Sequence, residues 1–248
     1  MERRTAGPVT ALLERLWGVW ALIAFGLSIA WGLLVAVLVP GRDLRGRLLT
    51  GAARAPFVLA RARVEVVGLE HLPEGHAVVV ANHASYVDGF LLKGYLPARF
   101  SFVIKGEVRR IPIVHFLLRR AGSRFVERFE AAGSARDARS IVRAAQGGES
   151  LAFFAEGTFR PEPGLGRFRP GAFVAAVRGG MPVVPVAISG TREMMPGGFR
   201  IPKPAPLEIR ILPPILPEEP PFSDPRDLAE AARRRILAVL DEPDLLAG

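Results

Sequence analysis

The chain contains no cysteine, which excludes a thiol nucleophile, a disulfide framework and a zinc–thiolate site. Histidine is also scarce: only four occur in 248 residues, and none has a metal-ligand spacing with a nearby carboxylate cluster. No serine stands in a Gly-x-Ser-x-Gly context, so the nucleophile of the serine hydrolases is missing as well. From these absences we expect no metal site and no nucleophile supplied by cysteine or serine.

Lysine and tyrosine are rare too, since three of the 33 basic residues are lysines and only two tyrosines are present. The formal net charge is +9, and the arginines are spread along the chain rather than clustered. A basic protein can favour nucleic acid or anionic lipid. No nucleic-acid-binding motif occurs, half of the residues are hydrophobic, and the mean hydropathy is +0.26. The composition therefore favours a lipid surface over nucleic acid.

A long uncharged run lies near the N-terminus, from Trp17 to Val39. As a helix this run measures about 34 Å, enough to cross a hydrocarbon core of roughly 30 Å. Trp17 and Trp20 suit an interfacial position at its first end. More arginines follow the run than precede it, so the positive-inside bias places the rest of the chain on the cytoplasmic side of a bacterial inner membrane. A helical hairpin lying in the interface, with Leu44 to Ala60 as its second arm, is the alternative to a full span.

The rest of the chain alternates between short buried strands and helices. This alternation predicts an α/β fold, with a mostly parallel sheet flanked by helices behind the N-terminal membrane helix or hairpin. Strands are predicted at 64–67, 76–81, 100–104, 151–154, 183–188 and 207–212. Helices are predicted at 89–96 and 172–177, from a cap at Ser134 to Gln146, and from Ser223 to Leu240. We divide the chain into a membrane-anchoring segment, 1–60, and an α/β domain, 61–248.

The segment Ala81–Asp88 (Ala-Asn-His-Ala-Ser-Tyr-Val-Asp) stands where a predicted strand gives way to a helix. In open α/β sheets, ligands and catalytic groups collect at such strand ends. On one continuous helix His83 and Asp88 would be roughly 140° out of alignment and could not easily touch. If Ser85 caps the helix instead, Asp88 can orient the imidazole as a carboxylate orients the base of the serine hydrolases. The proton that His83 takes then comes from the substrate. The alternative is a histidine and an aspartate that only cap the helix.

Other polar residues also follow predicted strands. A glutamate, a glycine and a threonine come after strand 151–154 and lead into an arginine-bearing, glycine-rich loop, which can hold an anionic or polyol substrate. A lysine follows the third strand, and an arginine ends the segment Gly122–Arg128. Cations at the ends of successive strands would converge on one side of the sheet as a phosphate site, although each alone is an ordinary surface residue. The residues concerned are Lys105, Arg128, Glu156, Gly157, Thr158 and Arg160.

Four blocks in this order resemble the motifs of the glycerolipid acyltransferase family, which includes bacterial 1-acylglycerol-3-phosphate acyltransferases. The blocks are Asn82–Asp88, Gly122–Arg128, Glu156–Thr158 and Val184–Val186. The resemblance implies transfer of a fatty acyl group from acyl-CoA or acyl carrier protein. The implied acceptor is the sn-2 hydroxyl of lysophosphatidic acid, so that the product is phosphatidic acid and the role lies in phospholipid biosynthesis.

Carried over by position, the resemblance implies that His83 is the base and Asp88 its orienter. The residues implied to bind substrate are Asn82, Ser85, Lys105, Arg128, Glu156, Gly157, Thr158 and Arg160. Backbone amides at the start of the following helix are the candidates for stabilising the oxyanion. No cofactor is expected beyond the acyl-CoA or acyl carrier protein co-substrate. The expected partners are membrane lipids, with no metal and no nucleic acid.

The third block departs from the family pattern, in which arginine often follows the threonine. This chain has Phe159 and then Arg160. Either Arg160, Arg167 or Arg169 supplies the charge, or the acceptor is not a simple phosphate monoester. The alternatives that remain open are the same chemistry on another lysophospholipid or a lipidated amino acid, and a non-catalytic lipid-binding membrane protein.

Overall fold

A seven-stranded sheet forms the centre of the molecule. The structure is a computed structural model that describes residues 7–126, 131–160, 162–196 and 201–247, except for the side chains of residues 131–135. The strands are β1 (Val64–Val67), β2 (Val78–Ala81), β3 (Ser101–Lys105), β4 (Arg124–Val126), β5 (Leu151–Phe154), β6 (Val183–Ser189) and β7 (Leu207–Ile211). The helices of the described residues are α1 (Pro8–Leu38), α2 (Arg42–Leu59), α3 (Val87–Tyr95), α4 (Pro112–Arg120), α5 (Ala131–Gln146), α6 (Gly171–Gly179), α7 (Thr191–Met194) and α8 (Pro225–Leu237).

The strand order is β1-β7-β6-β2-β5-β3-β4, and every pair is parallel except β6 with β7. The predicted α/β class with a mostly parallel sheet is therefore confirmed. β2 lies in the middle and is fully buried, as its run of valines requires. Because β2, β5 and β3 are parallel neighbours, their carboxyl ends meet at one edge of the sheet. We call this the carboxyl edge, and it carries the polar segments that follow these three strands.

α1 and α2 form an antiparallel hairpin against one side of the sheet domain. α1 is long and apolar enough to cross a membrane, judged by length and composition. Its buried face is a stripe of mostly small residues from Gly18 to Ala36, whereas its other face exposes leucine, valine, isoleucine and tryptophan. At one end, Trp17 and Trp20 donate hydrogen bonds to the last carbonyls of α2 and its cap. At the other end, Arg120 of α4 donates to the carbonyl of Ala36 at 2.6 Å.

Two predicted helix starts are wrong. α5 begins at Ala131, so Ser134 lies within the helix and cannot be its cap. α8 begins at Pro225 after an Asp224 N-cap, whose carboxylate accepts from the amide of Arg226. Ser223 precedes that cap, because proline suits the first helical position and aspartate caps well just before it.

Gly94 lies where α3 crosses α2, and its lack of a side chain allows the crossing. A Cβ at this position would stand 2.8 Å from the backbone N and Cα of Arg54, closer than real Cβ atoms approach. Gly94→Ala should push the helices apart and lower the free energy of unfolding by about 1–3 kcal/mol, as overpacking does. Denaturant unfolding of the purified protein measures this loss.

The matched control is Gly51→Ala in α2, where no atom lies within 4 Å of the added Cβ. Alanine there should be neutral, or stabilising by up to about 1 kcal/mol through its higher helix propensity. An equal loss of stability in both variants would contradict the close crossing.

Candidate active site

The chain is fixed at the end of β2 by Asn82, which is 2% exposed. Its side-chain amide donates to the carbonyl of Ile188 at 3.0 Å, and its carbonyl accepts from the Ile188 amide at 2.8 Å. These two bonds extend the pairing of β2 with β6 by one residue beyond the strand. The side chain predicted to bind substrate is thus occupied with backbone, and it positions the next residue, His83.

His83 and Asp88 touch, as the turn between strand and helix predicts. Nδ1 of His83 lies 2.8 Å from Oδ2 of Asp88, which is fully buried. The same oxygen accepts from the backbone amides of Ala84 at 2.7 Å and Ser85 at 2.8 Å. Asp88 lies in the first turn of α3, where the helix dipole favours a negative charge. A single carboxylate oxygen therefore closes the turn and holds the imidazole.

The predicted cap of α3 at Ser85 is displaced by one residue, since the N-cap is Tyr86, which makes no side-chain cap bond. The Ser85 hydroxyl nevertheless accepts from the amide of Val87, the first residue of α3, at 3.3 Å. The same hydroxyl donates to the carbonyl of Met195 at 2.7 Å, and the residue is fully buried. Ser85 therefore satisfies an amide at the start of α3 and ties the turn to the segment after α7.

The imidazole of His83 is enclosed by aromatic rings and is 15% exposed. It stacks on Phe154, with ring centroids 4.1 Å apart, and meets the edge of Phe159 at 4.8 Å. Because Nδ1 is engaged with a carboxylate, the neutral ring carries its proton there and leaves Nε2 as an acceptor. No hydrogen bond to Nε2 is found among the described residues. In the neutral ring, Nε2 is therefore the nitrogen that can accept a hydrogen bond from a ligand.

Glu156 supports the backbone of His83. Its Oε1 accepts from the His83 amide at 3.0 Å, and its Oε2 accepts from the Gly166 amide at 2.9 Å. Burial raises the pKa of the Glu156 carboxyl, while these two amides act to lower it. Both oxygens are therefore used within the protein, although the sequence predicts a substrate ligand here.

Arg233 is a supporting residue that the sequence does not reveal. It lies on α8, is 2% exposed, and donates to the carbonyls of Gly166 and Leu165 at 2.9 Å each. The loop that it fixes is the one whose amide binds Glu156. Arg233 lies about 70 residues after this loop in the sequence, on an amphipathic helix, and no sequence pattern there indicates the contact.

The remaining predicted site residues separate into two groups. Lys105 and Gly157 line the cavity described below, and the Lys105 ammonium donates to the Thr158 hydroxyl at 2.9 Å. Arg160 is exposed and does not line that cavity, although its carbonyl accepts from Arg192. Arg128 lies outside the described residues.

Two further groups singled out by the sequence are engaged within the protein. Val184 and Val186 of the fourth block are fully buried in β6, so they belong to the core. At the start of α3, the amides of Val87 and Asp88 donate to the hydroxyl and the carbonyl of Ser85 at 3.3 and 3.2 Å. These two candidates for stabilising an oxyanion therefore already have partners.

An apolar cavity of about 500 Å³ has His83 in its wall. The other lining residues come mainly from β3, α3 and α4, and from α1 and α2 of the N-terminal hairpin. Its wall is almost wholly apolar, with contributions from Gly32, Leu49, Phe90, Phe102, Ile104 and Leu117. We call this space the apolar cavity. Its size and apolar lining suit an alkyl chain, and the imidazole of His83 borders the same space.

The fold and site define an α/β protein with a carboxylate-held histidine in the wall of an apolar cavity. Residues 63–189 match the Acyltransferase family model. The chain belongs to this family, and the resemblance seen in its motifs is confirmed.

Individual relatives agree with this assignment. The chain is 33% identical over 187 residues to the lyso-ornithine lipid O-acyltransferase of Pseudomonas aeruginosa, covering 71% of this chain and 67% of that protein. It is 33% identical over 138 residues to the chloroplastic 1-acyl-sn-glycerol-3-phosphate acyltransferase LPAT1 of Arabidopsis thaliana, covering 55% of this chain but only 38% of that longer protein. The crystal structure of the 1-acyl-sn-glycerophosphate acyltransferase PlsC from Thermotoga maritima has a TM-score of 0.75 at 25% identity, covering 91% of this chain and 94% of that one.

Glu156→Gln tests whether Glu156 positions His83 or binds substrate. The amide side chain can accept only one of the two backbone bonds, so the His83 backbone should shift. We expect kcat to fall by up to roughly a hundredfold, as misplacement of a reacting group does, with KM for the acceptor changed little. Steady-state kinetics with acceptor and donor varied separately measure the two constants. A raised acceptor KM with kcat unchanged would instead assign Glu156 to substrate binding.

Proposed function

We propose that the protein is an O-acyltransferase that moves a fatty acyl group from a thioester, acyl-CoA or acyl carrier protein, to a hydroxyl of a lysolipid. The observation that carries this proposal is the contact of His83 with Asp88 beside the apolar cavity. The first candidate acceptor is lysophosphatidic acid, acylated at its sn-2 hydroxyl. The names of the relatives and the Lys105 ammonium in the cavity wall support this choice.

The proposed reaction is a direct transfer. Nε2 of His83 removes the proton from the acceptor hydroxyl, whose oxygen attacks the thioester carbon. The tetrahedral intermediate collapses by breaking the carbon–sulfur bond, and the imidazolium returns its proton to the thiolate that leaves. Asp88 stabilises the imidazolium between these two steps, since its carboxylate bonds Nδ1 throughout. No nucleophile on the protein is required, in keeping with the absence of cysteine.

The N-terminal hairpin supports a membrane location for this chemistry. One face of α1 exposes large apolar side chains, including Leu13, Trp20, Leu27 and Trp31. Its other face lines the apolar cavity through Ser28, Ile29 and Gly32. A lipid tail in the bilayer and an acyl chain in the cavity would thus lie on opposite sides of one helix. We place the hairpin in the cytoplasmic leaflet of a bacterial inner membrane, because arginines are more frequent after α1 than before it.

A lipidated amino acid is the second candidate acceptor, and Phe159 favours it. This residue occupies the position after Thr158 where the family often has arginine. Its ring makes T-shaped contacts with His83 and Tyr86, with ring centroids 4.8 and 4.6 Å apart, so the wall beside the base is aromatic rather than cationic. The lyso-ornithine lipid named for the Pseudomonas aeruginosa relative is an acceptor of this class.

His83→Ala should lower acyl transfer by about 10²–10⁴-fold, because the reaction loses its general base. Labelled acyl-CoA given to the purified protein with a lysolipid acceptor measures the rate. Circular dichroism and vesicle flotation should show an intact fold and unchanged membrane binding. The matched control is His76→Ala at an exposed histidine, which should keep full activity. Undiminished turnover in the His83 variant would overturn the mechanism.

The acceptor is identified by mass spectrometry of the products from a lysolipid panel. Lysophosphatidic acid, other lysophospholipids and lyso-ornithine lipid are offered separately with one donor. Preferred acylation of lysophosphatidic acid supports the first candidate, and preferred acylation of lyso-ornithine lipid supports the second. Failure of the folded protein to acylate any member of the panel, with acyl-CoA and with acyl carrier protein, would contradict the proposed function.

A further inference from the structure

Lys93 places a cation in the wall of the apolar cavity. Tyr86, Phe90 and Lys93 recur at helical spacing and all line the cavity, so they share one face of the α3 segment. Lys93 is five residues beyond Asp88, which is roughly 7–8 Å along a helix axis. Its ammonium lies 5.7 Å from the centroid of the Phe102 ring, and Phe102 is three residues before Lys105 in β3, roughly 10 Å along the strand. Along both elements the cation therefore lies away from the part of the wall that His83 and Lys105 form.

This cation has no counter-ion among the described residues. The other titratable groups that line the described cavity wall are His83, Tyr86 and Lys105, and none is a carboxylate. Burial lowers the pKa of the Lys93 amine to about 8. Lys93 is half-buried, and its ammonium is held near an aromatic ring in a largely apolar wall. Partial burial of an unpaired charge has a cost, so a hydrogen-bond acceptor that reaches the ammonium would be stabilised here.

A second polar group in the same wall is also unsatisfied. Ser28 of α1 lines the cavity and is 4% exposed, and its hydroxyl oxygen has no hydrogen-bond partner among the described residues. Phe25, one turn earlier, meets the ring of Phe90 at 5.2 Å, so this part of α1 faces the segment of α3 that carries Lys93. A buried hydroxyl without a partner has a cost of its own, so a hydrogen-bond donor or acceptor that reaches it would be stabilised.

We propose that Lys93 and Ser28 make the apolar cavity selective for acyl chains that carry a hydroxyl group several carbons away from the thioester. A hydroxyl can accept a hydrogen bond from the Lys93 ammonium and donate one to the Ser28 oxygen, so one substituent satisfies both groups. A plain hydrocarbon chain satisfies neither. The inference deepens the proposed acyl transfer and rests on it, with the donor's acyl chain as the occupant of the cavity.

Kinetics with matched donors test this selectivity. The full-length protein is given acyl-CoA donors of one chain length that are unsubstituted, or hydroxylated at the β-carbon, in mid-chain or at the terminus. We expect kcat/KM for the mid-chain hydroxylated donor to exceed that for the unsubstituted donor by roughly tenfold, as a charge-assisted hydrogen bond provides. Lys93→Met, which keeps the length of the side chain, should remove this preference, and Ser28→Ala should reduce it. The matched control is Lys203→Met at an exposed lysine, which should leave the preference unchanged.

A binding measurement separates this inference from the proposed function. Mid-chain hydroxylated and plain free fatty acids of the same length displace a fluorescent fatty acid from the protein, with no acceptor present. The hydroxylated acid should bind roughly tenfold tighter to the wild-type protein and equally to Lys93→Met. If binding shows this difference but no acceptor is acylated, the proposed function fails while the selectivity stands. If acyl transfer occurs and the two chains are used alike by the wild type, or Lys93→Met keeps the preference, the inference is overturned.

Discussion

One carboxylate oxygen, Oδ2 of Asp88, determines the arrangement of the carboxyl edge. It accepts from the His83 imidazole and from two consecutive backbone amides, all within 2.8 Å. The strand-to-helix turn and the orientation of the imidazole therefore depend on the same atom. A base that is fixed by the bonds that also close its own turn loses little conformational entropy when substrate arrives. This coupling explains how a segment of eight residues sets the orientation of the imidazole.

A second carboxylate fixes the same histidine from the other side. Glu156, at the end of β5, binds the His83 amide and the amide of Gly166, and Arg233 holds the Gly166 loop in turn. The sheet brings β2 and β5 side by side, so Glu156 approaches His83 from the neighbouring strand end, whereas Asp88 approaches it from the first turn of α3. Glu156 occupies the backbone amide of His83, and Asp88 occupies Nδ1 of its ring. Nε2 is therefore the nitrogen of His83 that remains for a ligand. In the proposed reaction, the acyl chain reaches this nitrogen from the apolar cavity that His83 lines.

The sequence predicts the sheet and the contact of His83 with Asp88 because both depend on local patterns, namely buried valine runs and a turn between strand and helix. It places the cap of α3 one residue early, at Ser85, whose hydroxyl does accept from the Val87 amide, and it does not reveal that Asp88 binds the two amides before the helix. It assigns Asn82 and Glu156 to substrate because a polar residue at a strand end gives no indication of which partner it binds. Arg233, Ser28 and the apolar cavity depend on contacts between distant elements, which no local pattern records. The departure at Phe159 is visible in the sequence, but its packing on His83 is not.

The central claim is that Asp88 keeps the proton of neutral His83 on Nδ1, so that Nε2 is free to act as a base. Long-range ¹H–¹⁵N NMR of protein labelled at its four histidines measures which ring nitrogen is protonated, and a His83→Gln variant assigns the signal. The account predicts that the neutral His83 ring carries its proton on Nδ1, with Nε2 unprotonated. A neutral ring with its proton on Nε2 would contradict the account, because the site would then present a donor to the acceptor hydroxyl instead of a base.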